Sequence, residues 1–290
     1  MSDRHGSAMA LSVNLKALVK IVPTLVLAGW LGVIAFDWAR PRPDFKSVSE
    51  AFDAGDHSRA LELAKPLALN GDADAQNFLG FVYANGVGVE KNTEEAMRWY
   101  RMAANLGHAA AQSNLGYLYD EGGSIGRNVA EAVVWYRKAA EQGLAQAQFN
   151  LAIMYQNGEG VTENKGLAAF WYGKAAAQGD PSAQTNLAIM YAIGDGVAKD
   201  PARAANLYQI AAESGYARAQ ANLGLALVKG EGVQKNVEQG LYWLNLAADK
   251  DDPSAQHNLG VVHENGIGVD RDPLHAKEWY ERAALQGHAQ

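Results

Sequence analysis

Residues whose chemistry could support catalysis or metal binding are scarce in this chain, and their spacing is wrong. The 290 residues include no cysteine, which excludes disulfides, thiol catalysis and cysteine-ligated metals. Ser12 precedes Lys16 by four residues, whereas the acyl-serine motif Ser-x-x-Lys needs three. His257 and His263 would lie about 120° apart around a helix, on different faces. No His-Glu-x-x-His or P-loop motif occurs. We therefore predict that the protein is not an enzyme and holds neither a cofactor nor a metal ion.

Glycine-rich turns, which in other contexts cradle a phosphate, occur at regular intervals. The sequence Gly-x-Gly-Val occupies 86–89, 158–161, 194–197, 230–233 and 266–269, and a variant, Gly-Gly-Ser-Ile, occupies 122–125. Because no copy has the Lys-Ser/Thr of a P-loop, phosphate binding is disfavoured. The first glycine suits the left-handed residue that ends a helix, so each copy predicts a turn between two helices.

These turns belong to a block of 36 residues that recurs without insertion or deletion. Copies begin at Ala75, Ala111, Ala147, Ala183, Ala219 and Ala255, and together they cover 75–290. A constant period of this length predicts a solenoid built from helix–loop–helix units. We number positions within a copy from its first alanine, and we call the residues that share a position a column.

Each copy predicts two helices. The first runs from position 1 to about position 11, with Leu at position 5 and only Gly or Ala at position 6. The second follows an Asn or Asp cap at position 18 and carries Trp at position 25 and Tyr at position 26. Leu207 and Leu244 are the exceptions in the Trp and Tyr columns. An aromatic row at one helical phase indicates an inter-helix core more than a ladder of ligand contacts.

Written as one pattern, the copies read Ala-Gln-x-Asn-Leu-Gly-x-x-Tyr-x-x-Gly-x-Gly-Val, followed by Ala-x-x-Trp-Tyr-x-x-Ala-Ala-x-x-Gly. This pattern closely resembles the SEL-one-like repeat, a tetratricopeptide-related unit. The resemblance covers 75–290 fully and 44–74 weakly, where we expect a degenerate capping repeat. It implies an all-α, right-handed superhelical solenoid that acts as an interaction scaffold or adaptor. Bacterial members are often exported or membrane-anchored. Some were once labelled β-lactamases, so a β-lactamase-like or peptidoglycan hydrolase is the least favoured alternative.

A partner protein or peptide would be recognised by columns that vary between copies. Positions 3, 7 and 10 point away from the constant face of the first helix, and first helices line the concave side of superhelices of this type. We therefore expect a groove with an apolar strip at position 7, flanked by polar and acidic groups. Its candidate residues are Phe81, Tyr117, Phe149, Ile153, Ile189, Leu225 and Val261, with Asp120, Gln156 and Glu264. The alternative is that position 7 packs only against a neighbouring helix.

The N-terminal part carries an uncharged apolar run, 21–36, bounded by Lys20 and Asp37. Extended to 18–38, it reaches the length of a membrane-spanning helix. We predict a signal anchor there, a cytoplasmic tail at 1–20 and a stiff Pro/Arg spacer at 39–46. The alternative is a signal peptide cleaved near Ala35, which would release a secreted solenoid that binds a host or cell-wall ligand.

Membrane orientation follows from the charges around this run. Basic residues flank it almost equally on both sides, so the positive-inside rule is nearly balanced. Because Asp37 directly follows the run, we favour a single-pass protein of the inner membrane with its repeats in the periplasm.

Charge argues against a nucleic-acid partner. Residues 1–46 have six basic and three acidic side chains, so the net charge of −7 leaves −10 on the rest of the chain. A solenoid that acidic does not attract a phosphate backbone.

The last copy predicts a contact with another molecule. It stops in register without a polar closing helix, whereas repeat arrays normally need one. We expect an apolar edge on the helix at 278–286 and self-association through it.

Overall fold

A computed structural model describes residues 44–285 and shows, over that range, fourteen α-helices and no strand. They are α1 (Phe45–Asp53), α2 (His57–Leu69), α3 (Ala73–Asn85), α4 (Thr93–Asn105), α5 (Ala109–Glu121), α6 (Val129–Glu141), α7 (Ala145–Asn157), α8 (Lys165–Ala176), α9 (Pro181–Ile193), α10 (Pro201–Glu213), α11 (Ala217–Lys229), α12 (Val237–Ala248), α13 (Pro253–Asn265) and α14 (Pro273–Leu285). A short 3-10 turn, Gly123–Ile125, lies between α5 and α6. From α3 onward, odd-numbered helices are the first helices of the repeats and even-numbered helices are the second.

The helices form an array in which each packs chiefly on the helix before it and the helix after it. The core is correspondingly divided into a series of hydrophobic clusters along the chain, each shared by adjacent repeats. At the start of the array, α1 and α2 pack against α3, with Val48, Ala60 and Phe78 buried in one cluster. The predicted all-α solenoid is therefore confirmed for the described residues.

The second helices begin where the sequence predicts, because position 18 supplies their N-caps. The side-chain oxygen of Asn92, for example, accepts a hydrogen bond from the backbone N–H of Glu95 at 3.0 Å. Asp200 caps α10 in the same way, through the N–H of Arg203. Such a cap satisfies one of the backbone donors that the first turn of a helix leaves free.

The first helices begin two residues earlier than predicted. The helix α3 starts at Ala73, and the carboxylate of Asp72 accepts from the N–H of Ala75 at 2.8 Å. Asp180 and Asp252 cap α9 and α13 in the same way. The prediction placed the start at the first constant alanine, but that alanine is the third helical residue, since an N-cap side chain bonds three residues ahead.

The glycine turns have the predicted structural role, and they also join neighbouring repeats. The first glycine is a left-handed helix cap, as at Gly86, where φ is 71°. The second glycine, as at Gly232, lies against the backbone at the start of the preceding second helix, so that an added Cβ would collide with Pro201. The loop at 122–125 departs from this form, as its sequence does, and contains the 3-10 turn.

The Trp, Tyr and small-residue columns form the inter-helix core, which confirms their interpretation as packing residues. Tyr136 is almost completely buried, and Gly116 on the facing first helix leaves room for its ring. A Cβ added to Gly116 would lie 2.8 Å from the Tyr136 ring. Trp135 is buried in the cluster that α4 and α5 share. The small residue at position 6 therefore allows close helix approach.

A column of buried glutamines links each repeat to the one before. Every residue at position 2 is buried, and its amide nitrogen donates to the carbonyl of the alanine eight residues earlier, near the end of the preceding helix. The Gln112–Ala104 bond, at 3.1 Å, is representative. It satisfies a carbonyl that the helix end leaves without an intrahelical partner.

The first helices form the more closely spaced layer. The pairs α3–α5, α9–α11 and α11–α13 approach each other directly, and no two second helices of the described repeats do so to the same extent. In a curved array the closer layer lies on the inner side, which places the first helices on the concave surface.

Candidate partner-binding surface

The position 7 column lies on the first helices, and its members differ in exposure. Tyr117 is 53% exposed. The other members, at 81, 153, 189, 225 and 261, are partly buried. Phe81, Ile153 and Ile189 pack against core clusters. The column therefore combines one protruding aromatic ring with apolar side chains whose outer edges alone reach the surface.

Tyr117 stands beside acidic residues of its own helix. Burial raises the pKa of its phenol, and the carboxylates of Glu121 and Asp120 raise that pKa further. The phenol therefore stays protonated at physiological pH and can donate a hydrogen bond. A half-exposed tyrosine with a free polar end is a side chain that protein interfaces favour.

The polar groups predicted at position 10 are engaged within the array. Arg127 binds the Asp120 carboxylate at 2.8 Å and the Glu159 carboxylate of the next repeat at 2.6 Å. The Tyr172 hydroxyl donates to the Gln156 side chain at 2.7 Å. These groups shape the surface between first helix and loop, but they also carry structural bonds.

Glu264 is held by the second helix of its own repeat. The Tyr280 hydroxyl donates to it at 2.7 Å. Burial, followed by that carboxylate, raises the pKa of Tyr280 to about 12. Phe149, at position 3, likewise lies against a second-helix ring, with its centroid 5.7 Å from that of Tyr172.

A row of half-buried asparagines at position 4 runs along the first helices, and the predicted partner groove did not include it. Its members are Asn114, Asn150, Asn186, Asn222 and Asn258. The Asn114 amide donates to Asn77 of the preceding repeat at 3.1 Å, across the junction of two first helices. Their amides thus lie at the edge of the inner surface. The signal available in the sequence was a polar residue that recurs at this position in five of the six copies.

The two histidines considered as metal ligands have different neighbours. The ring of His257 lies 5.3 Å from that of Tyr280, and the ring of His263 lies 4.2 Å from that of His275. Within 44–285, no cluster of three or more histidine or acidic side chains could hold a metal. Ser12 and Lys16 lie outside the described residues.

Most of the predicted N-terminal features also lie outside the described residues. They are the membrane segment at 18–38, the tail at 1–20, the cleavage site near Ala35 and most of the spacer at 39–46. Among the helices between 44 and 285, none has the length and apolar character needed to cross a membrane.

Comparison with known proteins gives a consistent family assignment. The Sel1 repeat model matches six consecutive ranges: 73–108, 109–144, 145–180, 181–216, 217–252 and 253–288. Each range begins at the first residue of a first helix. A comparison with curated proteins finds no match.

Two solved structures have the same fold over most of this chain. A Sel1 repeat protein from Oxalobacter formigenes is 35% identical with a TM-score of 0.74, and the alignment covers 82% of this chain and 96% of that one. A protective antigen with an SLR fold, present in uropathogenic Escherichia coli strains, is 32% identical with a TM-score of 0.72. That alignment covers 84% of this chain and 57% of the antigen, so the chain spans little more than half of the antigen's length.

Proposed function

The chain belongs to the Sel1 repeat family, whose repeats generally mediate protein–protein interaction, and from that premise we propose that it is a scaffold that binds a partner protein or peptide on its first-helix surface. The observation that carries this proposal is the exposure of Tyr117 on the inner helix layer, between acidic side chains. Aromatic residues in such a position are the usual energetic centres of protein interfaces.

The asparagine row at position 4 supports an extended segment as the ligand. Each asparagine side chain has both a hydrogen-bond donor and an acceptor, and successive first helices place one such amide at regular intervals. An extended peptide backbone also presents N–H donors and C=O acceptors at regular intervals, which these amides can pair with. The partly buried members of the position 7 column would contact its side chains.

The test replaces Tyr117 with Lys in the full-length protein and compares it with Tyr242→Lys. Tyr242 is 58% exposed and lies on the second helix α12, so it is a matched control for residue type and exposure. We expect Tyr117→Lys to reduce recovery of crosslinked partners about 30-fold, as for the loss of a ~2 kcal/mol anchor. Both variants should melt like the wild type. Equal recovery with Tyr117→Lys and wild type, or an equal loss with Tyr242→Lys, would contradict the proposal.

We also propose that the segment at 18–38 tethers the repeats to the inner membrane on its periplasmic side. The support is the length of the apolar run and the charges at its two ends. Alkaline phosphatase fused after Gln290 should be active, and a cytosolic reporter at the same place should be silent. N-terminal sequencing of the mature protein distinguishes the anchor from a cleaved, secreted form, since cleavage would produce a new terminus near Ala35.

Self-association through the last helix stays a prediction. Light scattering of the full-length protein at increasing concentration measures it directly, and a mass that stays at that of one chain would contradict it.

A further inference from the structure

The fourth repeat departs from the others between its own two helices, α9 and α10. Leu207 occupies the position where the other five copies have Trp. In the preceding repeat, Gly173 on α8 occupies position 27, where the first two copies have Arg101 and Arg137. Two large side chains that other copies have are therefore absent near α9.

The structure has a cavity of about 270 Å³ between α9 and α10. It is lined by Leu187, Tyr191, Arg203, Asn206 and Leu207. Leu187 is 8% exposed, whereas its counterparts Leu79, Leu115 and Leu151 are 0% exposed. A Cβ added to Gly173 would lie 3.9 Å from Leu187, which places the glycine beside the same space. The cavity thus lies where Leu207 replaces the tryptophan of the other repeats, with Gly173 beside it.

The polar groups of the cavity are rearranged as well. In the second and third repeats the position 9 tyrosine accepts a hydrogen bond from the preceding repeat, as from Arg101 to the Tyr119 hydroxyl at 2.6 Å. Because Gly173 supplies no such donor, the Tyr191 hydroxyl instead pairs with Arg203 of its own repeat at 3.3 Å. The Arg203 guanidinium also lies over the Tyr191 ring, 5.5 Å from its centroid.

Arg203 remains available to a ligand. Its side chain is 67% exposed, and its only ion pair is a 3.6 Å contact with the Asp200 carboxylate among the described residues. A guanidinium has five N–H donors, so these contacts leave several unused. The cavity therefore has an apolar floor of two leucines and a cationic, aromatic rim.

We propose that this cavity binds one aromatic side chain of a partner protein, with an acidic residue next to it in the partner's sequence. The group missing from the cavity relative to the other repeats is an indole, so an inserted aromatic ring restores their packing. The volume lies below the ~300 Å³ at which small-molecule sites begin, which suits a single side chain. Arg203 can stack on that ring and pair with the adjacent carboxylate.

The surface around the cavity supports a protein as the occupant. Ile210, one helical turn after Asn206 on α10, is an exposed large apolar residue, and α8 of the preceding repeat exposes Leu167 and Phe170. An anchor side chain surrounded by apolar contacts is the usual arrangement of an interface centre. The lining of this site includes no member of the position 7 column, so it is separate from the first-helix surface proposed above and does not depend on it.

The test uses short peptides and the methyl NMR signals of Leu187 and Leu207 in the full-length protein in detergent. We expect Gly-Asp-Trp-Asp-Gly to shift both signals saturably, with millimolar affinity, and Gly-Asp-Ala-Asp-Gly to shift neither. Gly-Lys-Trp-Lys-Gly should bind about 2- to 5-fold more weakly, as for the loss of an exposed ion pair. If the Trp peptide leaves both signals unchanged at 10 mM, or if the Ala peptide shifts them equally, the proposal is wrong.

A variant that fills the cavity provides a second test, because its melting temperature reports folding separately from peptide binding. Leu207→Trp restores the residue of the other five repeats, so it should fold with an equal or higher melting temperature and lose binding of the Trp peptide. Val134→Trp adds the same side chain at an exposed site on α6 and should bind like the wild type. Wild-type affinity in Leu207→Trp would overturn the assignment of the cavity. Tyr117→Lys should leave binding of the Trp peptide unchanged, so the two proposed binding sites are tested independently.

Discussion

The side-chain amide of Gln142 donates to the side-chain carbonyl of Gln112 at 2.7 Å, which completes the hydrogen bonding of a buried group. Gln112 in turn donates to the backbone of the preceding repeat. Gln178 and Gln148 repeat this arrangement one repeat later, at 2.8 Å. Each junction of these repeats thus contains a short chain of amide hydrogen bonds.

The first repeat lacks this arrangement, and that predicts a stabilising substitution. Leu106 occupies the position of Gln142, and the buried carbonyl oxygen of Gln76 has no hydrogen-bond partner. Leu106→Gln should raise the free energy of unfolding by about 1 kcal/mol, the usual net value of a hydrogen bond. Gln142→Leu should lower it by about 1–2 kcal/mol, because it leaves the Gln112 oxygen buried and unpaired. Denaturant unfolding measures both, and a loss of stability in Leu106→Gln would contradict the argument.

Glycines at position 6 should differ in their tolerance of alanine. A Cβ on Gly224 would lie 2.8 Å from the backbone carbonyl of Gly240, which cannot move without shifting the helix. A Cβ on Gly116 meets the Tyr136 ring, and Ala152 and Ala188 already occupy that position in other repeats. We expect Gly224→Ala to cost about 1–2 kcal/mol, since overpacking outweighs the helix propensity gained, and Gly116→Ala to be within about 1 kcal/mol of neutral. Thermal and denaturant unfolding of the pair decide this, and equal effects would show that the backbone contact is unimportant.

The last described repeat should lose stability in mild acid. Burial lowers the pKa of His263 below its ordinary value of 6.5, and neighbouring His275 lowers it further, while Asp272 opposes this. The folded state therefore favours neutral His263, so the unfolded chain takes up the proton first as the pH falls below about 6.5. Its stabilising contribution is present above that pH and decreases until the folded-state pKa is passed.

His263→Tyr introduces the residue that four other repeats have at position 9, and it is the control. Melting between pH 7.5 and 5 should be less pH-dependent in this variant than in the wild type. If both proteins lose stability in parallel, other groups are responsible for the acid sensitivity.

Asp251 adopts a conformation that suits glycine. Its φ is 59°, and it is the only non-glycine residue with positive φ between 44 and 285. Five other repeats have glycine at this position, as at Gly143 with φ 94°. Asp251→Gly should stabilise the protein by about 0.5–1 kcal/mol, because the strain removed exceeds the combined value of the exposed 3.9 Å contact with Arg282 and the long, 3.4 Å hydrogen bond from the Gln256 amide. Asp251→Asn, which keeps some tolerance of this conformation, should change the melting temperature little; a destabilised glycine variant would contradict the reasoning.

Features that depend on neighbouring residues could be predicted from the sequence. The 36-residue period, the caps at Asn92 and Asp200 and the left-handed glycine at Gly86 follow from local backbone chemistry that is the same in every copy. The assignment of Trp and Tyr to the core followed from their constant helical phase. The start of the first helices was wrong by two residues, because the capping residue precedes the conserved block and varies between Asp, His, Leu and Tyr.

Features that depend on residues about thirty positions apart became visible in three dimensions. Side chains from different helices or repeats form the pairing of Gln142 with Gln112, the asparagine row across first-helix junctions and the cavity between Leu187 and Leu207. Periodicity shows which columns are constant, but not which column faces which. Tyr117 is exposed while Phe81 and Ile153 at the same position are partly buried, because the side chains packed around each differ. Distances between helices set such exposure, and a linear pattern does not contain them.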